Sequence, residues 1–361
     1  MQKRKKILCV ADAPGPAEFL APVIPLLCAH HDTSVVAVGT AMDILGQYQP
    51  RRCNDEGQAS EIYADINPDY VVSAISSLTH GPYVNNRLIA AAYENGVPVI
   101  CLQDYWANHR VPHNQGIIPM LAEVCVSDDF AASLWKEDGF TGYIDVTGNP
   151  AFDRFTAMDV AAERSRLRNL FGLTPRDRVI VFAGQGTPKH IESDKKTFAY
   201  VTDAIRAVKS DIPIKLIMRA HPRAVETVYY TELAAGIEII DTSFARLSDD
   251  ILPAADVVVS MFSTNLVHAC YLRIPAISVL LPEQGRAVLK AVGLDDFPPN
   301  ILGASMGIYE EDPAVLRAAL ETIFSDQSVV ARMQAAQEKN FPLDGGAALR
   351  VATAIQEFMT R

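Results

Sequence analysis

Short apolar runs and longer amphipathic stretches alternate along the whole chain. Residues 7–11, 34–38, 70–73, 98–102, 123–126 and 142–146 have the length and apolar continuity of strands buried on both faces. Between them, 17–29 and 87–95 carry apolar positions at helical spacing, and Asn95-Gly96 supplies a helix stop. This is the β-α-β rhythm of a doubly wound parallel sheet. The rhythm restarts after Thr147-Gly-Asn-Pro150. Residues 153–171 read as a helix stopped by Gly172-Leu-Thr-Pro175. Strands are then predicted at 179–183, 214–218, 237–240, 257–259 and 276–280, with helices at 197–208, 224–235, 265–272 and 314–324. The expected fold class is α/β, with two Rossmann-like doubly wound parallel-sheet domains facing a cleft. The expected boundaries are 1–150, 151–340 and a closing helical segment 341–361.

A length of 361 residues, 49% of them hydrophobic, suits two ordinary cores. The 32 Lys and Arg against 43 Asp and Glu leave a net charge of −11, the wrong sign for a general nucleic-acid binder. A few local cations or helix N-termini can still hold a phosphate inside an acidic protein. Cys9, Cys28, Cys53, Cys101, Cys125 and Cys270 form no C-x-x-C pair, and are read as reduced core residues. Basic residues 3–6 precede a strand-like run too short for a signal-peptide core, and no apolar stretch approaches the ~20 residues of a membrane span. The expectation is a cytoplasmic protein with no transmembrane segment; a homodimer is left open.

In parallel sheets ligands bind at the carboxyl ends of strands, so the loops there are the candidates for chemistry. Gly184-Gln-Gly186-Thr187-Pro-Lys189 offers two glycines for positive φ or close approach, a hydroxyl and a cation, although an ordinary tight turn explains it too. Arg219-Ala-His221-Pro-Arg223 places two guanidinium groups after a buried strand, suited to phosphate or to a solvated loop. Ser260-Met-Phe-Ser263-Thr264-Asn265 leads into a helix, where capping and anion binding coexist. Glu283, after the strand at 276–280, joins these as a candidate nucleotide contact. In the first half, Asp12-Ala-Pro-Gly15-Pro-Ala-Glu18 is neither a P-loop nor G-x-G-x-x-G. Glu18 there suits a first helical turn by the dipole alone. Asp104, His109 and Arg110 follow another strand, a plausible general-base arrangement, and His80 lies at a further strand end. Asp104, His109, Glu18 and His80 are thus the candidate catalytic groups.

Several stretches in order resemble the GT-B superfamily, in particular its non-hydrolysing UDP-N-acetylglucosamine 2-epimerases. Gly15-Pro-Ala-Glu-Phe-Leu-Ala-Pro22 is similar to their first loop, and Cys125–Gly139 to a strand and helix with a Glu-Gly-type turn. Val146-Thr-Gly-Asn-Pro150 is similar to a V-T-G-N linker, and Asn340–Gly346 to a glycine-bearing turn before the closing helix. The resemblance covers nearly the whole chain. It implies two Rossmann-like domains, the second holding the nucleotide, and a last helix packed toward the first.

The epimerases' acid/base groups are mostly replaced. Ile75-Ser-Ser77 stands where they carry an Asp, Asp104 where they carry a Glu, and 184–189 lack their His-Arg-Arg-Glu pattern. Phe262-Ser-Thr264 replaces Ser-Gly-Gly, and His268 stands at the ribose-binding acid. His221-Pro222 and Ser263-Thr264 resemble motifs of bacterial sialyltransferases and of CDP-glycerol glycerophosphotransferases. Asp55-Glu-Gly57 matches a sialyltransferase string but is read as a chance match in a polar loop before a helix. The resemblance implies a metal-independent transferase of cell-surface polysaccharide or glycoconjugate synthesis. Its substrates would be a nucleotide-activated sugar or polyol donor and an unidentified acceptor, with no cofactor. Arg219, Arg223, Ser263 and Thr264 would steady the leaving phosphate. The alternatives are an epimerase or hydrolase using Asp104 and His190, and a non-catalytic nucleotide-sugar binder.

Overall fold

The computed structural model describes residues 4–76, 83–187, 189–209, 213–221, 224, 226–242 and 251–361; His80 and Arg223 lie outside them. The chain divides into two compact units, Met1–Thr156 with Asp344–Arg361, and Ala157–Leu343.

The first unit is built on strands β1 (Lys6–Ala11), β2 (Asp32–Ala37), β3 (Arg51–Arg52), β4 (Tyr70–Ile75), β5 (Val99–Gln103), β6 (Glu123–Val126) and β7 (Tyr143–Val146). They pair in parallel in the order β3-β2-β1-β4-β5-β6-β7. The order reverses between β1 and β4, so their carboxyl ends open a crevice where the connections diverge. Ile7, Cys9, Ala11 and Val72 on the sheet pack with Phe19, Leu20, Ile24 and Leu27 from the helices that follow β1. Val351 and Ile355 of helix Ala347–Phe358 complete this core. That helix is capped from far away in sequence: the Ala347 and Ala348 N–H groups donate to the Asp153 carboxylate at 3.2 and 2.9 Å. Arg350 Nε donates to the Thr147 carbonyl at 2.8 Å. Gly148, at φ +82°, is in the left-handed region, with Ala347 too near for a side chain to fit easily.

The second unit has strands β8 (Arg178–Ala183), β9 (Ile214–Arg219), β10 (Glu238–Asp241), β11 (Val257–Ser260), β12 (Ala276–Val279) and β13 (Met306–Ile308). Its order is β10-β9-β8-β11-β12-β13, again parallel, with the reversal between β8 and β11. Phe182, Phe198, Tyr230, Leu216 and Leu320 lie in its core. The architecture is two parallel α/β sheets, as the apolar rhythm predicted.

Local details differ from the sequence reading. The helix expected over 17–29 is two, Pro14–Leu20 and Ile24–His30, because Pro22 and Pro25 cannot donate to the preceding turn. The helix expected over 153–171 is a run of tight turns, Pro150–Ala157, followed by Val160–Leu170, whose N-cap Asp159 accepts from Ala162 N–H at 3.0 Å. Asp55-Glu-Gly57 is no loop: Asp55 caps helix Glu56–Ile66 by accepting from Gln58 N–H. Helix Ile191–Ala207 begins earlier than expected and brings Asp194 into its first turn.

Candidate functional site

In the first unit, Asp12, Ser76 and Asp104 follow β1, β4 and β5, three adjacent strands at the reversal of strand order. Buried asparagines hold the exit of β4. Asn85 Nδ2 donates to the Ala74 carbonyl at 2.6 Å, Asn108 Nδ2 to that of Ile75 at 3.3 Å, and Asn114 Nδ2 to that of Ser76 at 2.8 Å. Asn108 Nδ2 also donates to Asp104 Oδ1 at 2.6 Å, which fixes the carboxyl group on this frame. The other oxygen, Oδ2, faces Gly15 so closely that a Cβ there would collide with it.

Burial pushes the Asp104 carboxyl up to about 7. Its own backbone N–H and Asn108 oppose the shift, while the charges of Glu18 and Asp12 add to it. Asp12 is pushed up to about 6, also by burial, against a hydrogen bond with Ser76. Asp12 Oδ1 is buried with no hydrogen-bond partner. The structure thus brings Glu18 into electrostatic range of Asp104 and adds Asp12, which sequence reasoning did not single out. A carboxyl near pH 7 on rigid supports can take or give a proton at neutral pH.

His109 is placed differently. Its ring is fully buried and stacked on Trp135 with centroids 4.1 Å apart. Nδ1 meets Gln103 Oε1 at 2.9 Å and Nε2 meets Asp138 Oδ2 at 2.8 Å. Burial lowers its pKa to about 4, although the Asp138 hydrogen bond opposes the shift. With both nitrogens engaged inside the core, the ring ties helix Asp129–Glu137 to the β5 exit. It offers no lone pair to an acceptor hydroxyl.

In the second unit, the loops after β8, β9 and β11 are linked. Ser260 Oγ donates to the Ala183 carbonyl at 2.5 Å, Phe262 N–H to Gln185 Oε1 at 3.4 Å, and Gly184 N–H to the Arg219 carbonyl at 2.8 Å. The expectation of positive φ at Gly184 and Gly186 is not met: neither lies in that region. Glycine is required there by close approach, since a Cβ at Gly184 would strike Tyr230 Oη and one at Gly186 would sit 2.7 Å from Tyr229 Oη. Ser263 caps helix Thr264–Tyr271, its Oγ accepting from the Asn265 N–H and Nδ2 at 3.2 Å each. The N–H groups of Gly186, Ser263 and Thr264 donate to no acceptor among the described residues. Free amides at a helix N-terminus beside a glycine loop can hold an anion.

The remaining candidates stand around these loops. Lys189 is exposed and Thr187 half-buried, its N–H donating to the Gln185 carbonyl at 2.6 Å. The half-buried His190 ring meets Phe262 edge-on at 5.9 Å, and burial, with the Lys189 charge, lowers its pKa. Arg219 ends β9, and the half-buried His221 accepts from Ala224 N–H through its carbonyl at 2.8 Å. His268 lies on the capped helix, and Glu283 is exposed in the Pro282–Arg286 turn after β12. Among the described residues no group of three His, Cys, Asp or Glu side chains is arranged to hold a metal ion. No helix among them is long and apolar enough to cross a membrane.

No protein-family model matches the chain, and no curated protein matches it. Solved structures do match, over almost the full length. MnaA of S. aureus, in a UDP co-structure, is 17% identical over 99% of this chain and 97% of that one, with a TM-score of 0.70. The UDP-GlcNAc 2-epimerase of Neisseria meningitidis, bound to UDP-GlcNAc, is 14% identical over 98% of this chain and 100% of that one, TM-score 0.67. MurG of Acinetobacter baumannii is 17% identical over 98% of this chain and 99% of that one, TM-score 0.63. At these identities the likeness is one of fold: two Rossmann-like domains of the GT-B type.

Proposed function

We propose that this chain is a nucleotide-sugar-dependent enzyme whose second unit binds the phosphates and whose Asp104 moves the proton. The observation that carries the reading is the Asp104 carboxyl, raised to about 7 and pinned between Asn108 and Gly15 at a strand-order reversal. The N–H groups of Gly186, Ser263 and Thr264, with Arg219 nearby in the strand order, take the phosphate oxygens. In the leading form of the proposal, Asp104 accepts the proton of an acceptor hydroxyl as that oxygen attacks the anomeric carbon of a sugar donor, breaking its C–O bond to the nucleotide, or the outer phosphorus of a polyol donor, breaking its P–O bond to the nucleoside monophosphate. The nucleotide phosphate leaves with the electron pair of the broken bond.

A second form has Asp104 exchange a proton at a sugar carbon. It is favoured by two of the matched structures, MnaA of S. aureus with UDP and the UDP-GlcNAc 2-epimerase of Neisseria meningitidis. Incubation with UDP-, GDP-, CDP- and CMP-sugars in D2O separates the two. Deuterium entering the sugar with formation of an isomer supports proton exchange at carbon. Nucleotide release that depends on added acceptor supports transfer. If no sugar nucleotide shifts the melting temperature, both forms fail.

A further inference from the structure

Asp194 is fully buried in the first turn of helix Ile191–Ala207, beneath the loop that follows β8. Its Oδ1 accepts from the Gln185 N–H at 2.5 Å. Its Oδ2 accepts from Tyr229 Oη at 2.6 Å and, in a shorter contact, from Tyr230 Oη. Those same two hydroxyls are what a Cβ at Gly186 or Gly184 would meet. The Gly184–Thr187 backbone is therefore moulded onto a carboxylate and two phenols. Three donors at one carboxylate offset the cost of burying it. Burial raises the Asp194 pKa, while Tyr229, Tyr230 and the Gln185 amide oppose that shift.

We propose that Asp194, with Tyr229 and Tyr230, is the positioning residue of the anion-binding loop: by taking up the Gln185 N–H it leaves the next amide, that of Gly186, as the one offered to a phosphate. Gln185 carries the same alignment to the neighbouring loop, because its Oε1 accepts from Phe262 N–H, one residue before the Ser263 cap. This rests on the phosphate-binding role proposed above, and its test is arranged to fail separately.

The test compares the full chain with Asp194→Asn and Tyr230→Phe. Amide hydrogen exchange at 184–187 should quicken by about tenfold or more, the loss of one charge-assisted hydrogen bond, while β9 amides keep their protection. Unchanged exchange at 184–187, or a uniform rise across the unit, overturns the proposal whatever the ligand. In parallel, UDP and uridine are titrated. Both variants should weaken UDP by about tenfold and leave uridine unchanged, which a general packing defect would not do. Equal weakening of both ligands overturns the proposal. If the wild type binds none of UDP, GDP, CDP and CMP, the phosphate-binding reading fails while the exchange result still decides the role of Asp194. If Asp194→Asn fails to fold, Tyr230→Phe carries the test, since it keeps the ring and the carboxylate.

Discussion

Replacing Asp104 by Asn should make the protein more stable at neutral pH. The Asp104 carboxyl goes from 3.8 to about 7 on folding, mainly by burial. At 1.36 kcal/mol per unit, a shift of about three units corresponds to about 4 kcal/mol between charged and neutral forms. The folded protein binds this proton more tightly than the unfolded chain. The group's contribution is therefore fully present below about pH 4 and is lost as pH rises to about 7. Asn has the same shape, stays neutral, and keeps an oxygen for the Asn108 donor. Allowing for relaxation of the neighbouring Asp12 and Glu18, the gain at pH 8 should be about 2 kcal/mol or more, about a quarter of that at pH 4.5, and close to zero at pH 3. Urea unfolding can be followed through Trp106 and Trp135, the chain's two tryptophans, both in the first unit. A variant less stable than wild type at pH 8, or a difference independent of pH, would refute the strained carboxyl. The same substitution should abolish turnover, the usual trade of stability for function at an active site.

Other substitutions bear on the same frame. Gly15→Ala would gain up to about 1 kcal/mol of helix propensity, yet its Cβ collides with Asp104 Oδ2 and should cost about 1–3 kcal/mol. Urea unfolding should therefore show net destabilisation, together with reduced turnover. Ser263→Ala should lower stability by about 1 kcal/mol through the lost cap, read in thermal melts, and also weaken nucleotide binding. His109→Phe should cost about 1–3 kcal/mol by leaving buried Gln103 without its ring partner, while turnover stays near wild type.

The fold was legible because its central strands are unbroken apolar runs. The strands missed were β3, two exposed arginines at a sheet edge, and β13, three residues with a central glycine. Neither carries an apolar signal long enough to register. In the site, Asp104 stood out as an acid at a strand end, whereas Glu18, read as a first-turn acid, lies past the first turn of helix Pro14–Leu20. Asp12 was visible as the residue closing the first strand, but its value depends on β4 lying beside β1, which no local pattern states. His109 misled because a histidine in a polar-looking loop gives no sign that Trp135 and Asp138 enclose it. Of the two uses read for the glycines at 184 and 186, close approach holds and positive φ does not. What they accommodate is a pair of tyrosines more than forty positions downstream.

The most direct test of the central claim is a titration of wild type and Asp104→Asn with the four families of sugar nucleotide, followed by NMR of the mixtures. One sugar nucleotide should be bound by both proteins with similar affinity and converted only by wild type. Binding of none of them, or conversion by Asp104→Asn at the wild-type rate, would contradict the account.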